Sequence, residues 1–298
     1  MNRALRVGAE GDSYYRLAEQ PRERRQGEYG YIGLRAARRA SDAPGPPRQG
    51  TDAKETKHAM KFFIDTANVD EIKQAKAWGI LDGVTTNPSL IAKEGIAHKT
   101  RVMEILKIVG DLPVSAECVE TDADKLMKEA QDIASWAPNI YVKVPMTANA
   151  MEVVKELSPK GINFNVTLIF SLPQALIAAK AGGSFISFFV GRIDDMGSLE
   201  APINIEEAVN MVETYDFPKD PEILVASIRS PLQVVESIKS GAHICTIPFK
   251  TMEQLFHHPL TDIGIKRFND DYLKATGGGK NGTSKQDSGQ SIEEKAKV

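Results

Sequence analysis

Little in this chain suits disulfide, metal or membrane chemistry. Only two cysteines occur, Cys118 and Cys245. Both sit in apolar runs, so they read as small buried residues of a reducing, cytoplasmic compartment and not as a disulfide framework. The five histidines, His58, His98, His243, His257 and His258, show no metal-ligand spacing. Neither CxxC nor HExxH is present, so the local patterns offer no metal site. No apolar run is long enough to span a bilayer, and the N-terminus lacks the apolar block of a secretory signal. A net charge of −3 gives no global case for nucleic acid. What remains, 42% hydrophobic and 26% charged residues, is the balance of an ordinary globular protein.

The net charge hides an asymmetry. Residues 1–59 carry twelve Lys and Arg against eight Asp and Glu, with few aliphatics and the run Ala43-Pro44-Gly45-Pro46-Pro47. Such a segment cannot bury enough apolar surface to order itself. It is expected to be a disordered Arg-rich extension, and three origins are open. Met60 is the natural start and the arm an artefact of an upstream start; or the arm is a basic tail; or it is an organelle transit peptide, against which its acidic residues argue. Arg clusters without interleaved aromatic residues are weak evidence for nucleic-acid binding. From Thr276 on, Gly, Ser, Lys, Asn and Gln dominate, the composition of a flexible tail.

Between these ends the pattern alternates. Short β-rich apolar runs occur at Lys61–Thr66, Gly83–Asn87, Pro113–Val119, Ile140–Pro145, Asn163–Phe170, Phe185–Gly191, Ile223–Ile228 and Ile244–Phe249. Stretches with helical spacing separate them, at Val69–Trp78, Thr100–Val109, Asp122–Trp136, Ala148–Leu157, Leu172–Ala181, Ile205–Tyr215 and Leu232–Ser240, with a last helix over Asp262–Leu273. Strand–helix alternation demands crossover connections and hence parallel strands. Eight such units predict a closed (β/α)8 TIM barrel over residues 60–275. An open doubly wound sheet is the rival, but no GxGxxG follows the first strand. Polar residues recur near strand C-termini, which in a barrel form one reactive rim.

Lys143 is the sharpest feature on that rim, because it interrupts the apolar strand Ile140-Tyr141-Val142-Lys143-Val144-Pro145. A lone mid-strand lysine is more often a snorkelling or paired residue. In a dry barrel mouth, however, a lysine amine can lose its proton and attack a ketone to form an imine. Asp65 ends the first strand; it either caps a helix or handles protons, and Thr66 and Asn68 are better placed to cap. Glu117 reads as a buried partner for Lys143, as a proton carrier beside an imine, or as both. Thr85, Thr86 and Asn87 before Pro88 are a turn signal in isolation. Thr167 is a good strand residue whose hydroxyl can hold a water. Arg192, Ser227 and Arg229 follow adjacent strands, and together they suit a dianionic phosphate.

The segments Gly83-Val84-Thr85-Thr86-Asn87-Pro88-Ser89-Leu90-Ile91, the strand around Lys143, Asn165-Val166-Thr167-Leu168-Ile169-Phe170-Ser171 and Phe189-Val190-Gly191-Arg192 together resemble the transaldolases, in particular their short bacterial form. The resemblance implies a class I aldolase type of barrel, without metal or cofactor, in which Lys143 forms a Schiff base with a ketose phosphate. It implies that Asp65 takes the C4 hydroxyl proton and that Glu117 and Thr167 hold a proton-shuttling water. Thr85, Asn87, Ser187 and Phe189 would contact the substrate, and Arg192, Ser227 and Arg229 its phosphate. It also implies sugar phosphates as the partners, no nucleic acid or membrane, and a homo-oligomer, a decamer in which the C-terminal helix meets a neighbour. The fructose-6-phosphate aldolases are close relatives that typically carry glutamine at the position of Glu117 and tyrosine at that of Phe189, so both positions are transaldolase-like here. Phe188 stands where related sequences usually have proline.

Overall fold

Eight short runs of β-branched and aromatic residues pair side by side, each with the next and the last with the first, in a computed structural model that describes residues 59–197 and 201–276. In chain order the elements are β1 (Lys61–Asp65), α1 (Val69–Ala77), β2 (Gly83–Thr85), α2 (Pro88–Glu94), α3 (His98–Val109), β3 (Val114–Glu117), α4 (Ala123–Ala134), β4 (Ile140–Pro145), α5 (Ala148–Leu157), β5 (Asn163–Ile169), α6 (Leu172–Ala181), β6 (Phe185–Phe189), α7 (Val190–Asp195), α8 (Ala201–Thr214), β7 (Glu222–Ala226), α9 (Pro231–Lys239), β8 (Ile244–Ile247), α10 (Phe249–Gln254) and α11 (Pro259–Ala275). All eight pairings are parallel. The (β/α)8 TIM barrel expected from the alternation is the fold observed. The Arg-rich extension and the Gly/Ser-rich tail fall almost wholly outside the described residues.

Strand alternation sorts side chains into two cores. One face of each strand packs against the helices, for example Ile64, Val84, Val114, Val142, Val166, Ile186, Val225 and Cys245, with Ile72, Ile105, Leu126 and Val153 from the helices. The other face fills the barrel, where Phe63, Phe185, Leu224, Ala226 and Ile244 form a smaller cluster with Tyr141 and Phe189 at its margin. Phe185 stacks on Tyr141 at 4.0 Å and meets Phe63 edge-on at 5.6 Å. Gly83 makes room for this plug, since a Cβ there would lie 2.5 Å from the Phe63 ring. The plug closes the lower barrel, so polar side chains one level higher stand on an apolar floor.

Both cysteines are free and buried. Burial pushes the Cys245 thiol up to about 12 and raises Cys118 as well. No helix among the described residues is long and apolar enough to cross a membrane.

Three short helices at strand C-termini correct the boundaries read from the sequence. α7 and α10 begin where strands six and eight were expected to continue, so β6 ends at Phe189 and β8 at Ile247, while β2 ends at Thr85, short of the expected Asn87, with α2 starting at Pro88. At α2 the cause is local. Asn87 is extended and its side chain accepts the Leu90 N–H, while Pro88 occupies the first helical position, where its missing N–H costs nothing. Asn68 caps α1 by accepting from Asp70 and Glu71, which leaves Asp65 uncommitted to capping. Phe188 is fully buried in the outer core, on the opposite face of β6 from Ser187 and Phe189.

Candidate active site

Register sets the first group of residues. Glu117 on β3 pairs with Lys143 on β4, and Lys143 pairs with Asn165 on β5. Three polar side chains therefore share one level of the interior. Lys143 is only 5% exposed. Its Nζ lies 3.0 Å from Glu117 Oε2 and donates to the Thr86 carbonyl at 3.1 Å. An ammonium so enclosed requires such partners, because leaving one unpaired would cost several kcal/mol.

Asp65 ends β1 beside Thr85 of β2, whose hydroxyl donates to Asp65 Oδ1 at 2.9 Å. Burial pushes the Asp65 carboxyl above its ordinary range, and the Lys143 charge and the Thr85 hydrogen bond offset part of that rise. Thr85 Oγ1 also lies 2.6 Å from Thr246 Oγ1 on β8. Asn165 is fixed at both ends of its amide: Nδ2 donates to Ser115 Oγ at 3.0 Å, and Ser187 Oγ donates to Oδ1 at 2.6 Å.

The opposite side of the rim is built from α7 and the turn after β7. Gly191 allows their close approach, because a Cβ there would meet the Ser227 carbonyl oxygen at 2.2 Å. Ser227 itself holds φ at 61°, a left-handed conformation that a non-glycine residue adopts only under constraint. Arg192 and Arg229 are exposed. The Arg229 guanidinium forms a two-pronged pair with Asp195, with Nη2 2.7 Å from Oδ2. Gln233 of α9 braces the same turn, accepting from the Arg229 N–H at 2.7 Å and donating to Asp194 Oδ2 at 2.5 Å.

Both sides open on one cavity of about 390 Å³. Asp65, Thr85, Asn87, Glu117, Lys143, Ser187, Phe189, Arg192 and Ser227, all singled out from the sequence, line it. Two expected residues do not. Arg229 is exposed and paired with Asp195. Thr167 is fully buried, and its Oγ1 has no hydrogen-bond partner among the described residues. Conversely, Asn165, Leu168 and Thr246 line the cavity without having been singled out. Alternation in β5 would have found Asn165, two residues before Thr167. Leu168 carried no signal, because it reaches the cavity at the register irregularity between Val166 and Ile169, with φ at 59°. Among the described residues no group of three or more His, Cys, Asp or Glu is placed to hold a metal ion.

The arrangement can supply a nucleophilic amine, two carboxylates to exchange protons with it and with a ligand, fixed hydroxyl and amide groups, and a cation at the far wall. Comparison with known proteins fits this chemistry. Residues 62–277 match the family described as transaldolase/fructose-6-phosphate aldolase. A probable transaldolase of Syntrophobacter fumaroxidans is 54% identical over 218 residues, which cover 72% of this chain and 97% of that protein. Another, from Aquifex aeolicus, is 54% identical over 215 residues, again 72% of this chain and 97% of the relative. With half the aligned residues shared across nearly the full length of those relatives, the chain belongs to the transaldolase/fructose-6-phosphate aldolase family.

Proposed function

We propose that the chain is a transaldolase. It moves a dihydroxyacetone unit from sedoheptulose 7-phosphate or fructose 6-phosphate to glyceraldehyde 3-phosphate or erythrose 4-phosphate, through a Schiff base on Lys143. The observation that carries this reading is the buried Lys143 amine, 3.0 Å from Glu117 and open to the cavity that Asp65 also lines.

The steps follow from what each group can do. Lys143 must lose a proton before it attacks, and Glu117 is in contact to take it. The amine adds to the C2 ketone, and the carbinolamine loses water to give the iminium. Proton traffic in this step uses Glu117, with Thr167 holding a water alongside it. Asp65 then takes the proton from the C4 hydroxyl. The C3–C4 bond breaks, the aldose phosphate leaves, and the bonding pair passes into the iminium to give an enamine. Because the iminium accepts these electrons, the cleavage runs without a metal or another cofactor. In the second half C3 of the enamine attacks the acceptor aldehyde, Asp65 returns its proton to the new C4 oxygen, and water releases the product. Thr85, Asn87 and Ser187 hold the hydroxyls, Phe189 covers the carbon skeleton, and Arg192 and Ser227 receive the phosphate, which Arg229 joins where the phosphate takes it from Asp195.

Release of free dihydroxyacetone, the fructose-6-phosphate aldolase reaction, is the neighbouring activity in the family. Glu117 and Phe189 favour transfer, since a phenylalanine offers no proton with which to discharge the enamine. One experiment tests both points. The protein is incubated with fructose 6-phosphate, reduced with borohydride and mapped by mass spectrometry. An adduct on Lys143, with dihydroxyacetone retained until an acceptor is added, supports the proposal. An adduct elsewhere removes the Schiff base from Lys143, and rapid acceptor-independent release makes the enzyme an aldolase.

The same reading places the enzyme in the cytoplasm, in the pentose phosphate pathway, and in a homo-oligomer, a decamer by family resemblance. α11 supports the last point, since none of its residues is buried and Leu260, Phe268 and Tyr272 are each about two-thirds or more exposed. Sedimentation of the intact chain and of a Phe268→Asp variant tests it. The intact chain should sediment as the oligomer and the variant as smaller species.

A further inference from the structure

A single hydroxyl beside Asp65 has two neighbours but only one proton to give. Thr85 Oγ1 lies 2.9 Å from Asp65 Oδ1 and 2.6 Å from Thr246 Oγ1. A carboxylate can only accept, so an ionised Asp65 claims the Thr85 proton. The short contact to Thr246 then has one possible direction, with Thr246 donating to Thr85. All three residues come from adjacent strands, β8, β1 and β2, and Thr246 is 2% exposed. When Asp65 is protonated the order loses its basis, because Thr85 no longer faces an obligate acceptor.

We propose that Thr246 is a positioning residue for the reaction: its hydroxyl polarises Thr85, and the Thr246–Thr85–Asp65 chain holds Asp65 as an oriented carboxylate ready to take the C4 hydroxyl proton. This rests on the assignment of Asp65 as the proton acceptor. Hydrogen bonds in series strengthen one another in a low-dielectric interior, so removing the first weakens the second. Of the strands flanking β1, β2 presents the uncharged Thr85 to Asp65 and β8 presents the uncharged Thr246 to Thr85. The other charged groups lining the same cavity are Lys143 from β4, Glu117 from β3 and Arg192 from α7. Thr246 touches none of them through a hydrogen bond, so its loss acts on Asp65 through Thr85.

The test measures kcat and KM for fructose 6-phosphate, with an acceptor present, across pH for the wild type and for Thr246→Val, Thr246→Ala and Thr246→Ser. Removing the donor should move the acid limb of kcat to higher pH. At pH values on that limb kcat should fall by roughly threefold to tenfold, the scale of one hydrogen bond, with KM little changed. Thr246→Ser should restore the wild-type limb. The alanine variant removes the same donor without adding a methyl, which guards against a valine that fails to fold. A uniform loss at every pH with an unmoved limb, or a serine variant that behaves like valine, overturns the proposal and leaves Thr246 as packing. Asp65→Asn separates the two levels: if it retains full turnover, the role assigned to Asp65 fails before that of Thr246 is reached.

Discussion

The two walls of the cavity are made differently. On the wall formed by β1 to β6, Lys143, Thr85, Asn165 and Ser187 are 5% exposed or less, and each is tied to a neighbouring strand by a hydrogen bond or ion pair. On the wall formed by α7 and the turn after β7, Arg192 is exposed and backbone shape does the positioning, through Gly191 and the left-handed Ser227. The contrast has a physical logic. Covalent and proton-transfer steps need groups fixed within fractions of an ångström in a dry setting. A phosphate arrives solvated and carries its own charge, so exposed arginines can meet it.

The comparison predicts that the buried wall controls turnover and stability, whereas the exposed wall controls affinity. Replacing Lys143 by Met should lower transfer by roughly a thousandfold or more and should also lower the melting temperature, because Glu117 is left buried without its partner. Adding Glu117→Gln should restore melting but not activity; a double variant that melts with the single one would break the pairing argument. Asp65→Asn should reduce kcat by about a hundredfold or more while making the fold more stable at neutral pH. The sign follows from burial. A carboxyl raised in the folded state binds its proton more tightly there than in the unfolded chain. Wild-type stability therefore falls as pH climbs from the unfolded value near 3.8 through the folded one, a loss the asparagine variant escapes. Thermal melts from pH 3 upward read this directly, and equal melting at neutral pH would contradict it.

Smaller effects are expected across the cavity. Arg192→Ala should raise KM for fructose 6-phosphate by roughly tenfold to a hundredfold, the scale of lost charged hydrogen bonds, and leave unphosphorylated fructose unaffected. Arg229→Ala should cost less than about fivefold, since Asp195 already neutralises that exposed guanidinium. A larger loss at Arg229 would mean that phosphate takes it from Asp195. Phe189→Tyr should shift product from transfer toward free dihydroxyacetone by offering the enamine a proton, with little change in total donor consumption. An unchanged ratio of the two products would show that the hydroxyl is not what separates the two family activities.

Much of the barrel was legible because two periodicities are written along the chain. Apolar runs short enough for strands alternate with stretches of helical spacing, and parallel pairing leaves few ways to connect them. Lys143 stood out for a similar reason: a charged residue inside an apolar strand needs an explanation wherever that strand lies. The short helices α2, α7 and α10 were not visible, because each is only six or seven residues long and starts within three residues of a strand end, too short to show a helical period. Leu168 was hidden because a register slip, not alternation, turns it to the cavity.

Alone, then, the sequence determined the order and type of the long elements, the face of each strand and the chemical kinds gathered at strand ends, since these depend on residues a few positions apart. Only the tertiary structure decided that Thr246, near the far end of the described chain, touches Thr85 near its beginning, and that Arg229 turns to Asp195. The first contact depends on ring closure, which couples residues 161 positions apart, and the second on how the turn after β7 packs against α7; no local pattern encodes either.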